Sequence, residues 1–73
     1  MAEQYKALVR EIEIAFTEGS KVTVVTAAGV IKLQHASAHD DDESLLTGAN
    51  DHGRAVLIPG SAIIAAWIDG AED

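Results

Sequence analysis

The chain has no cysteine, one proline and three aromatic side chains in 73 residues. Without cysteine, no disulfide can reinforce the fold and no thiolate can hold a metal. With Tyr5, Phe16 and Trp67 as the only aromatics, the core must be aliphatic, built from Val, Ile, Leu and Ala. Bases are scarce as well: 5 against 12 acids, a formal net charge of −7. That balance argues against indiscriminate binding to phosphate backbones, so no DNA partner is expected, and against anionic membranes. No apolar run is long enough to cross a bilayer. The N-terminal stretch, with Glu3 and Glu11, lacks the apolar segment of a signal peptide, and the expectation is a cytoplasmic protein.

What is present is a globular composition, 48% hydrophobic and 23% charged. Its length predicts a single domain over residues 1–73. A domain of this size buries only about 60% of its unfolded surface. Oligomerisation is one way such a chain gains stability.

Residues 3–17 read as an amphipathic helix. Tyr5, Leu8, Val9, Ile12 and Phe16 recur at three- and four-residue spacings, with Glu3, Lys6, Arg10 and Glu13 on the other side. Ile14 falls off that stripe, so it either widens the apolar face or touches a partner chain. Gly19 is the natural C-cap. From Lys21 the residues become β-branched, Val22 to Thr26. Ala27-Ala28-Gly29 forms a turn, and Val30 to Ala38 alternates, with Ile31 and Leu33 on one side and Lys32 and Gln34 on the other, completing a hairpin. A third strand is expected over Ser44–Thr47, and Gly48–Gly53 is the strongest turn signal in the chain. Arg54–Ile58 is a fourth strand, stopped by Pro59-Gly60-Ser61, where Pro cannot donate to a ladder and Gly permits a bend. Ala62–Ile68 is apolar on both faces, so its periodicity fits either a fifth strand or a short helix. Residues 69–73 are an acidic tail. One helix and five short, strongly bent strands suit a small closed barrel over about residues 21–68, with the helix across one open end.

Chemical motifs are sparse. His35, His39 and His52, with Asp40 to Asp42, are the residue types of a transition-metal site. Their spacing is long for one ion, and the ordinary reading is a set of exposed loop histidines. Asp40-Asp41-Asp42-Glu43 lacks the alternation of a calcium loop and reads as a solvated acidic loop. Ser20, Ser37, Ser44 and Ser61 lie in no nucleophile motif. Gly29, Gly48 and Gly53 are isolated turn glycines rather than a phosphate loop. Neither an enzyme nor a cofactor or metal is expected.

Three stretches resemble the Sm-like family, which includes the Sm and LSm proteins and bacterial Hfq. Val22-Thr23-Val24-Val25 followed by Gly29-Val30-Ile31-Lys32-Leu33-Gln34 is similar to the first two Hfq strands. Asp40, Asp41 or Asp42 stands where the family carries an acidic residue. Ile58-Pro59-Gly60-Ser61-Ala62-Ile63 resembles the second Sm motif. The chain also departs from the family. His35 or a neighbour replaces the glycine at the second strand's bend. No Asn follows the acidic residue, Pro59 stands for the motif's Arg, and Hfq's Tyr-Lys-His is absent.

The resemblance implies a mainly β fold, an N-terminal helix followed by a five-stranded, strongly bent SH3-like or Sm-like barrel. It implies a homo-oligomeric ring in which the fourth strand of one subunit pairs with the fifth of the next, placing Val56, Ile58, Ile63, Ile64 and Trp67 at the contact. It further implies weak binding of single-stranded RNA through Lys32, Gln34, Gly60 and Ser61, with poor stacking because no aromatic lies in the motif turns. The missing base-contacting residues and the charge of −7 favour the alternative, a non-enzymatic structural or protein-interaction module on the same fold with RNA binding lost.

Overall fold

A computed structural model describes residues 2–70; residues 71–73 of the expected acidic tail lie outside the described residues. The chain forms α1 (Ala2–Thr17), then β1 (Lys21–Thr26), β2 (Gly29–Ala38), β3 (Leu45–Asn50), β4 (Ala55–Pro59), a 3-10 turn (Gly60–Ala62) and β5 (Ile63–Asp69). The ambiguous apolar segment is therefore a strand preceded by one 3-10 turn, and Asp69 belongs to that strand rather than to a tail.

The helix forms where its stripe predicts. Val9, Ile12 and Ala15 are buried, with Leu8 and Phe16 half-buried against the same core, while Ile14 is exposed. It ends in a Schellman motif: the Ser20 N–H donates to Ala15 O at 2.9 Å and the Gly19 N–H to Phe16 O at 3.1 Å. Gly19 has φ 85°, the left-handed conformation this cap requires.

The strands form one antiparallel sheet in the order β4-β3-β2-β1-β5. Val22 and Val24 of β1, Leu33 and Ala36 of β2, Leu46 of β3 and Ile58 of β4 join the helix residues in the core. Full burial stabilises each large aliphatic side chain by roughly 1.5–3 kcal/mol. The sheet has two edges, β4 and β5, and no ladder joins them among the described residues. The closure expected of a barrel is thus not met by backbone pairing within the chain.

The sheet is nonetheless curled. Laid flat, its outer strands would stand about 19 Å apart, four spacings of about 4.8 Å. The four Cα steps from Pro59 to Ile63 through this 3-10 turn, at roughly 2 Å rise each, bridge only about 8 Å. Curling of the sheet is what lets so short a connection join its two edge strands.

The bend runs through β2. Its first half pairs with β1 up to Val22↔Leu33, its second half pairs with β3, and the register shifts between Leu33 and His35. Leu33 and Ala36 are both buried, whereas Gln34 and His35 are both exposed. The inward phase therefore slips by one residue, as a β-bulge requires, and the uninterrupted alternation expected from Val30 to Ala38 does not hold. Gly48 completes this arrangement from the opposite strand. A Cβ there would overlap the His35 carbonyl oxygen and lie 2.7 Å from Ala36 Cα. Gly48, Ala49 and Asn50 are consequently strand, and the turn begins later than the sequence signal suggests. Asn50 Oδ1 organises it by accepting the His52 and Arg54 N–H groups at 2.9 and 3.0 Å.

Gly48→Ala is expected to destabilise the fold by about 3 kcal/mol, because backbone and not a flexible side chain blocks the added methyl. Chemical denaturation measures this; a loss under about 0.5 kcal/mol would mean the bulge does not press on β3.

Candidate functional site: two open strand edges

The most distinctive surface is apolar and lies on the sheet edges. Among the described residues six large hydrophobic side chains are exposed, and four of them, Leu57, Ile64, Trp67 and Ile68, sit on β4 and β5; Ile14 and Val30 are the others. The cause is visible in the pairing. Directly opposed residues share a face of a sheet. Ile68 faces Val22 and Ala66 faces Val24, so both point to the core side. The buried Val22 and Val24 have cover, yet Ile68 remains 48% exposed because nothing lies beyond β5. Trp67 faces Thr23 on the outer side and is 56% exposed, and Leu57, opposite Thr47, is 65% exposed. Ile64 is the extra residue of a second bulge, unpaired between Val25↔Ala65 and Thr26↔Ile63.

The five residues expected at a subunit contact are therefore placed differently from one another. Ile64 and Trp67 are exposed, while Val56 and Ile63 are half-buried against the core. Ile58 is only 5% exposed and is a core residue, so its side chain is not available for a contact. Its parity on β4, facing Leu46, turns it inward. Leu57 and Ile68 belong to the open edges and were not singled out from the sequence. Alternation along β4 and the end position of Ile68 were the available signals.

The four expected RNA-contacting residues are not brought together within one chain. Lys32 and Gln34 are exposed on the outer side of β2 and line a cleft of about 660 Å³ with Lys21, Asp51 and Asp69. Gly60 lies at the other end of β3: its N–H donates to Ser44 O at 2.7 Å, whereas Leu33 faces Asn50. Six residues of strand separate those points, about 20 Å. Gly60 is also buried, while Ser61 is exposed. Gly60 does not need an unusual φ. Space is what requires glycine there, since a Cβ would lie 2.7 Å from Tyr5 Cβ and 3.0 Å from Ser44 O.

The acidic loop is locally ordered. Ser44 Oγ donates to Asp42 Oδ1 at 2.6 Å and the Ser44 N–H donates to the same oxygen at 3.0 Å. The hydroxyl bond first, then the backbone bond, hold the Asp42 carboxyl below its usual pKa, with smaller help from the charge of Lys6. The Asp41 N–H donates to His39 Nδ1 at 3.0 Å, and His52 Nε2 lies 3.6 Å from Asp51 Oδ1 on an exposed turn. Among the described residues, no three His, Asp or Glu side chains converge as metal ligands do. No helix of the described residues is long and apolar enough to cross a membrane.

Comparison of the chain with protein-family profiles, with curated proteins and with solved structures returns no match.

Ser44→Ala is expected to raise the Asp42 pKa toward the ordinary carboxylate range. A lowered folded pKa contributes stability above the unfolded value and loses it as pH falls through the folded value. Carboxyl-carbon NMR titration reads the shift directly; an unchanged Asp42 midpoint would discard the Ser44 hydroxyl as its cause.

Proposed function

We propose that the chain is an Sm-like subunit whose function is carried by a closed homo-oligomeric ring, assembled through its β4 and β5 edges. The observation that carries the reading is the pair of unpaired edges, which hold four of the six large exposed hydrophobic side chains. The strand order, the preceding helix and the three-residue link at Ile58-Pro59-Gly60-Ser61-Ala62-Ile63 support the Sm-like assignment. An open apolar edge templates further strand pairing unless something covers it. A β4 edge meeting a neighbour's β5 edge is a head-to-tail contact, which closes into a ring when its rotation divides the circle.

In this reading the ring binds single-stranded RNA weakly through Lys32 and Gln34. Both side chains are exposed on the outer face, in one cleft with Lys21. One observation favours the second reading, a protein-interaction scaffold without RNA: Asp51 and Asp69 share that cleft and offset the two lysines.

Light scattering coupled to size exclusion is expected to give a discrete mass of about five to eight subunits; a monomer would overturn the ring. Titration with a labelled single-stranded oligonucleotide then separates the two readings. Binding that weakens steeply with salt and is abolished by Lys32→Glu supports the RNA role. A ring that binds no oligonucleotide at low salt is the scaffold.

A further inference from the structure

Trp67 has no part in the core, and the pairing registers show where it stands. Trp67 faces Thr23 between β5 and β1, and Thr23 faces Lys32 between β1 and β2, so the three form one row across three strands. All three point away from the core, because the buried residues on these strands are their neighbours Val22, Val24 and Leu33. We infer that Trp67 is a stacking platform for one base of a single strand whose phosphate reaches Lys32. The inference rests on the RNA reading of the cleft and adds to it an aromatic contact.

Tyr5 and Phe16 are half-buried, which leaves Trp67 as the one exposed aromatic side chain. It is 56% exposed because its neighbours on the outer face are too short to cover an indole: Thr23 opposite, and Ala65 two residues before it. Adjacent strands lie about 4.8 Å apart, so Trp67 and Lys32 stand about 10 Å apart with Thr23 as a low step between them. The lysine stem spans part of that distance, and a base with its sugar and phosphate spans the remainder. The rows on either side differ. Val25 faces both Val30 and Ala65 in an apolar row, whereas Lys21 faces Asp69 in a charged one.

The charges give the ring its importance. Lys21 and Lys32 share their cleft with Asp51 and Asp69, so the two signs balance there. Phosphate attraction alone is then weak. Stacking does not depend on that balance, because every base offers a flat π-face to an aromatic ring. Assembly through the strand edges leaves the platform open as well. Strands add in the plane of a sheet, while its side chains stand off the faces.

Trp67 is the only tryptophan, so its fluorescence reports on this position directly. The full chain is titrated at low salt with two labelled strands of equal length: an adenine homopolymer, and the same sugar-phosphate chain without bases. Anisotropy of the label reads binding, and tryptophan emission reads contact with the ring. The expected result is quenching by the adenine strand in step with binding, and about tenfold weaker binding of the abasic strand without quenching. Trp67→Ala is expected to weaken adenine-strand binding about tenfold with its salt dependence unchanged, since no phosphate contact is lost, and Trp67→Phe to keep most of the affinity. The strand comparison uses the unaltered chain, so it holds whether or not Trp67→Ala assembles. Binding without quenching, or equal affinity for the two strands, overturns the platform and leaves the RNA reading standing. No anisotropy change with either strand at low salt overturns both.

Discussion

The three residues between β4 and β5 constrain the whole molecule. They join the two outermost strands of a five-stranded sheet, a span that a flat sheet would not permit. Gly60 seats this link against Tyr5 of the helix and Ser44 of the acidic loop, where no side chain fits. The helix, the loop and both sheet edges are therefore tied at one point. Curling follows, and curling requires the bulge at Gln34–His35, which in turn requires Gly48 on the facing strand.

Curling brings the edges near each other without pairing them. A 73-residue chain with three aromatics fills its interior with nine buried aliphatic residues but leaves Ile68 without cover on the core side of β5. In the proposed ring, charge sets where copies meet. With a net −7, most of the surface repels a second copy. β4 carries no charged residue and β5 carries only Asp69. Repulsion elsewhere and apolar edges are both features that the proposed ring would use.

Much of this was legible in the residues. The helix stripe marks Val9 and Ile12, the β-branched run marks β1, and Gly19 marks the cap, because each is a local pattern with a local cause. What was not legible depended on pairing. The phase slip at Gln34–His35 leaves no mark in an alternating string, since His35 and Gln34 are both polar and either fits outside. Gly48 sits among turn residues and reads as a turn, although its role is to admit a neighbouring backbone. Ala62–Ile68 was ambiguous because a strand with an open edge and a bulge has no clean period. The inward turn of the Ile58 side chain was not legible, because an apolar residue in an edge strand can serve either core or contact and only its partner Leu46 decides.

The central claim is that the sheet is completed by a second copy. Amide hydrogen exchange tests it most directly. If β4 and β5 pair between chains, the amides of Val56, Leu57, Trp67 and Ile68 all exchange slowly at high protein concentration, and the outward-facing ones lose protection on dilution while those of β1 and β2 do not. Edge amides that exchange quickly at every concentration would show that the edges stay open, and would contradict the account.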